Sequence, residues 1–72
     1  MTEKVTKSKL KLGKIIQKLR KSRGLSQENF AEVLDISRTH IGHIEQGRKS
    51  PSIQLLEKVA KVLKVKTKEL FS

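Results

Sequence analysis

The sequence predicts an all-α fold, a compact bundle of five short helices in one domain. Three observations carry that expectation. Apolar residues recur at intervals of three and four along most of the chain and nowhere alternate with the period of two that a half-buried strand needs. Serine stands directly ahead of three such periodic segments, at Ser26, Ser37 and Ser52, where its hydroxyl can cap a helix N-terminus. Finally, the chain has 72 residues, 35% of them hydrophobic. A chain of this length buries only about 60% of the surface its unfolded form exposes, which suits short helices packed round one small core.

Taken in order, Met1 to Lys9 is polar and basic without periodicity, so residues 1–9 are expected to form a mobile basic arm ahead of a domain spanning residues 10–72. Leu12, Ile15, Ile16 and Leu19 then fall at i, i+3, i+4 and i+7, with Lys14, Lys18 and Lys21 on the other side, and Gly24 closes this first amphipathic helix. Ser26 opens a second helix from Gln27 to about Leu34, with Leu25 and Phe30 placed as a hydrophobic staple. A tight connection through Asp35 and Ile36 leads to Ser37. The third helix, from Arg38 to about Gln46, repeats the staple with Ile36 and Ile41 and closes at Gly47. Arg48-Lys49-Ser50-Pro51 is a polar loop. Ser52 caps a fourth helix on which Ile53, Leu56, Ala60 and Leu63 hold helical spacing, Leu55 and Val59 widen the stripe, and a fifth turn from Thr67 presents Leu70 and Phe71.

Composition narrows the function. Seventeen Lys and Arg against seven Asp and Glu leave a net charge of +10, which favours a polyanionic partner. Phe30 and Phe71 are the only aromatic residues and both belong to apolar patterns, so no platform exists on which single-stranded bases could stack. Duplex DNA is the expected partner. The absence of cysteine excludes disulfides and thiolate metal sites and suits a cytoplasmic protein. Uninterrupted apolar runs are pairs such as Ile15-Ile16, far short of the roughly 18 residues of a membrane span. A membrane-surface role is disfavoured because no helix joins a cationic face to large aromatic wedges. His40 and His43 lie at a spacing compatible with a metal, but no further His or Cys completes a set. Asp35, Ser37 and His40 crowd one helix start without chain around them to form a pocket, so catalysis is not expected, nor is a cofactor or small-molecule ligand.

The third helix carries the specific signal. At about 100° per residue, Arg38, Thr39, Gly42, His43 and Gln46 share one side while Ile41 and Ile44 take the other. A merely solvated face would use Lys and Glu four apart. This one offers donors and acceptors suited to base edges, with Gly42 permitting close approach.

The stretch LSQENFAEVLDISRTHIGHIEQGRKSPSIQLLEKVAKVLKV, with Ser26-Gln27 opening the second helix, Ala31 at the helix crossing, Ile36 in the turn, and Ile44-Glu45-Gln46-Gly47 and Pro51-Ser52 beyond, resembles the Cro/repressor, or xenobiotic-response-element-like, family of bacterial and phage regulators. The resemblance covers about Leu10 to Phe71. It implies a lambda-repressor-like helix-turn-helix domain. It also implies base reading by Arg38, Thr39 and His43, and backbone contacts from Gln27, Ser37, Arg48, Lys49 and Ser52. It further implies an ion pair between Arg20 and Glu45, and acidic contacts from Glu28 and Glu32 to RNA polymerase at a neighbouring promoter site. At the turn position where the family often has Gly, this chain has Asp35, which enters the left-handed conformation at some cost.

Charge follows the same division of labour, at +8 for residues 1–24, −3 for 25–47 and +5 for 48–72. The flanks attract phosphate, and the segment that reads bases carries few indiscriminate cations. Val65, Leu70 and Phe71 exceed what one small core covers and are expected to form a two-fold homodimer interface. The expectation is a homodimeric transcriptional regulator, a repressor or also an activator, on a two-fold operator. An antitoxin or protein-binding adaptor on the same fold is the alternative.

Overall fold

The structure is a computed structural model in which residues 6–71 are described. Its elements are α1 (Lys7–Ser22), α2 (Gln27–Leu34), α3 (Arg38–Glu45) and α4 (Ile53–Leu63), followed by a 3₁₀ turn at Thr67–Phe71. The expected fifth helix is thereby corrected to a 3₁₀ segment. Five residues are too few for α-type bonds to accumulate, and the tighter i→i+3 pattern serves so short a piece better. The Glu69 N–H donates to the Lys66 carbonyl at 2.9 Å, and the Lys66 N–H donates back to Glu69 Oε2 at 2.7 Å.

At the other end, α1 begins earlier than its apolar period. The Thr6 hydroxyl accepts the Lys9 N–H at 3.2 Å and caps the helix, so Lys7, Ser8 and Lys9 of the expected arm are helical. Their turn gives the core no residue, which is why no period marks it. Met1 to Val5 of that arm lie outside the described residues.

Hydroxyl caps open every helix. Ser26, Ser37 and Ser52 accept the N–H groups of Asn29, His40 and Leu55 at 3.0, 3.0 and 3.1 Å. Each helix also closes alike, in a 6→1 bond paired with a tighter one around a left-handed residue. Gly24 and Gly47 fill that place after α1 and α3, but Asp35 (φ 59°) fills it after α2 and Lys64 (φ 58°) after α4. Asp35 therefore completes the turn in the conformation a glycine would take. The Asp35 N–H meets the Glu32 carbonyl at 3.1 Å and the Ile36 N–H meets the Ala31 carbonyl at 3.0 Å.

One core holds the helices together. Ile16 of α1, Phe30 and Leu34 of α2, Ile41 and Ile44 of α3, Val59 and Leu63 of α4, and Leu70 of the terminal turn are all essentially inaccessible to solvent. α2 packs on α3, α1 crosses α3, and α4 with the 3₁₀ turn closes the remaining side. The α1–α3 crossing depends on Gly13, where an added Cβ would sit 2.7 Å from the Glu45 carbonyl oxygen and closer still to that of Ile44. Among the described residues no helix is long and apolar enough to cross a membrane.

Candidate nucleic-acid interface

Burial of Ile41 and Ile44 fixes the rotation of α3. With those two side chains in the core, Arg38, Thr39 and Gln46 are exposed and Gly42 and His43 are half-buried on the outer side. Together with Gln27 and Arg48 they line one shallow groove. Nothing lies within 4 Å of the position a Cβ would take on Gly42, so the protein leaves the middle of that groove open. A second depression, lined by Ser37, Thr39, His40, His43 and Lys49, adjoins it through Thr39 and His43.

A largely buried network that includes Gln27 of the groove ties the surrounding elements together. Arg20 Nε donates to Glu45 Oε2 at 2.7 Å and Arg20 Nη2 to Glu45 Oε1 at 3.1 Å. Arg20 Nη1 donates to the Leu25 carbonyl at 2.7 Å, and Gln27 Nε2 donates to Glu45 Oε1 at 2.9 Å. The last turn of α1, the entry to α2 and the end of α3 are thus held in register. Both partners of the ion pair are buried, so the bidentate geometry acts where water screens it little. Gln27 has a structural task that the sequence did not reveal, since one N–H of its amide is directed at Glu45. The second N–H of an amide nitrogen remains a donor for an incoming acceptor.

The other expected contact residues separate into two groups. Arg48 and Lys49 are exposed directly after α3, their N–H groups held by the His43 carbonyl at 2.8 and 3.4 Å, so the loop starts from a fixed point beside the groove. Ser37 reaches the second depression while its hydroxyl caps α3. Ser52 is exposed at the start of α4 but lines neither depression. The sequence placed Gln46 on the polar face of the third helix without naming it among the base-reading residues, and in the structure it lines the groove with them. Sequence reasoning missed Gly13, for which a glycine inside an amphipathic helix was the available signal.

Glu28 and Glu32 are both exposed on α2. At the C-terminal end, the expected interface needs one correction. Leu70 is 0% exposed within the monomer, so its side chain has no surface to give a partner; Val65 is half-buried, and Phe71 remains 60% exposed. In a 3₁₀ turn, neighbouring residues point about 120° apart, which sends one of two adjacent apolar side chains inward and the other out.

A family model described as helix-turn-helix matches residues 16–70. Control protein C.MunI of a Mycoplasma species is 42% identical over 65 residues, a match that covers 89% of this chain and 88% of C.MunI. Among solved structures, the restriction-modification controller protein C.AhdI from Aeromonas hydrophila superposes with a TM-score of 0.81 at 34% identity, over 86% of this chain and 94% of that one. SinR, a master regulator of biofilm formation solved in complex with DNA, superposes with a TM-score of 0.79 at 35% identity, over 85% and 98%.

Proposed function

The chain belongs to the Cro/repressor-like helix-turn-helix family of regulators, and from that membership we propose that it is a sequence-specific transcriptional regulator that binds a two-fold DNA operator as a homodimer. The observation that carries this reading is the outer side of α3. Arg38, Thr39, Gly42, His43 and Gln46 form an open polar groove in which no Cβ obstructs the centre. In the major groove, Arg38, Thr39 and His43 read base edges. Gln27, Ser37, Arg48, Lys49 and Ser52 hold phosphates on either side. The near end-to-end match to C.MunI, a control protein, and to C.AhdI, a restriction-modification controller, supports a controller of the same kind.

Selection from a random duplex library, followed by binding of variants to the selected site, tests the reading. Arg38→Ala and His43→Ala should each lose roughly 1–3 kcal/mol on that site and relax preference at particular base pairs. Lys49→Ala should weaken all duplexes alike and flatten the salt dependence. Equal losses by all three variants on selected and random DNA would overturn the base-reading assignment.

The exposure of Glu28 and Glu32 supports one addition, that the protein also activates a promoter by presenting both carboxylates to RNA polymerase. Replacing both with Lys should leave DNA affinity equal or higher and lower activation. Activation that simply followed affinity would remove these residues from the role.

A further inference from the structure

The outer side of α1 carries charge that the α3 groove does not use. Lys7, Lys11, Lys14, Lys18 and Lys21 are all exposed, and they follow one another at intervals of four, three, four and three residues. At about 100° per residue they fall within an arc of roughly 80°, centred opposite the buried Ile16. The row is about 21 Å long at 1.5 Å per residue. No acidic residue occurs anywhere between Lys7 and Ser22. Like charges at i+3 and i+4 repel one another along a helix, so this spacing opposes the folding of α1 instead of aiding it.

The row also points away from the base-reading helix. α1 meets α3 through Gly13, which lies against the Ile44 and Glu45 carbonyls, and through Arg20, which is bonded to Glu45. That flank is roughly 130° round the helix from the centre of the lysine row. The row therefore lies on a different flank of α1 from the one packed on α3.

We propose that the lysine row on α1 is a second, sequence-independent DNA surface that grips the backbone of another duplex segment while α3 occupies an operator. The inference rests on the operator-binding role proposed above. Charge complementarity selects the partner: five cations in line, on a helix that itself carries no acidic residue, match the regular anionic edge of a duplex, and the chain's net charge of +10 favours the same polyanion. Contacts of this kind read no sequence and hold two segments together at low ionic strength.

The experiment uses the full chain with two duplexes, one holding the selected operator and a donor dye, the other lacking the operator and holding an acceptor. Wild-type protein at one equivalent per operator should bring the dyes together. The variant K11Q/K14Q/K18Q keeps helix propensity and leaves the core alone, so it should hold the operator but lose the acceptor duplex. The salt-dependence slope for that second duplex should fall by about 2.7, at about 0.9 for each phosphate that a lysine no longer neutralises. The arginine counterpart, K11R/K14R/K18R, should restore energy transfer. Operator binding without transfer in the wild type, or transfer unaltered in the glutamine variant, overturns the proposal. So does a finding that the lysines are needed only for binding phosphatidylglycerol vesicles. Failure to select any operator would instead count against the proposed function, and titration of the plain duplex alone would still report whether the row binds backbone.

Discussion

Glu45 accepts three hydrogen bonds in a buried position, two from Arg20 and one from Gln27. Neutralising it leaves the Arg20 guanidinium in the interior without its counter-charge, a change that typically costs about 3–5 kcal/mol. A domain of 72 residues has only roughly 4–11 kcal/mol in total, at about 0.05–0.15 per residue. Glu45→Gln should therefore bring the urea midpoint down sharply; an unchanged midpoint would show that water screens the pair. Two glycines provide the complementary test, because one faces protein and the other faces the open groove. Gly13→Ala drives a methyl group into the Glu45 carbonyl and should cost about 1–3 kcal/mol or more. Gly42→Ala meets nothing within 4 Å and should stabilise α3 by up to about 1 kcal/mol. If the groove seats DNA, the same Gly42→Ala change should weaken operator binding even as the melting temperature rises. Affinity that held steady would remove Gly42 from the interface.

Among elements, three of the four helix starts were readable, the Thr6 cap of α1 being the exception, and glycine marked only two of the four helix ends. Ser26, Ser37 and Ser52 announce themselves because a hydroxyl before an apolar period has one efficient use, the capping of free N–H groups. Gly24 and Gly47 announce the ends of α1 and α3 because glycine reaches positive φ without strain. Lys64 takes the same conformation with no such marker. There the Val65 N–H bond to the Ala60 carbonyl at 2.9 Å and the burial of Leu63 hold the backbone where lysine does not prefer to be. The faces of α3 were readable for a further reason: its apolar residues leave a polar side too poor in Lys and Glu to be a plain solvated surface. The contact of Gly13 with α3 was not, since a close approach depends on a helix distant in sequence. Relief of left-handed strain gives a test at this scale. Lys64→Gly should raise stability by about 1 kcal/mol, the relief of roughly 1–2 kcal/mol offset in part by the greater freedom of glycine in the unfolded chain. Asp35→Gly should gain less, because aspartate tolerates that region better than lysine. Denaturant midpoints of the two variants check both the sign and the order.

At the scale of the whole molecule, a two-fold operator requires two copies of α3 about 34 Å apart, and so a surface on which two protomers meet. The terminal turn separates what that surface can use from what the monomer has already used. Leu70 is fully buried among α1, α4 and the rest of the core, whereas Phe71 beside it is 60% exposed and Val65 is half-buried. An exposed phenylalanine at a turn that already packs on α1 and α4 is a large apolar area left in water, and covering it with its symmetry mate would remove that area twice over. Substituting aspartate at each position tells interface from core. Phe71→Asp should keep the monomer's helical content and melting cooperativity, shift sedimentation from dimer to monomer, and reduce operator affinity much more than affinity for a single half-site. Leu70→Asp should abolish cooperative melting itself, since it forces a charge among Ile16, Leu63 and their neighbours. If the Phe71 variant sedimented as a dimer with undiminished operator affinity, the two-fold contact would lie elsewhere on the molecule. If wild type remained a monomer at high micromolar concentration both free and on the operator, the homodimeric reading would fail.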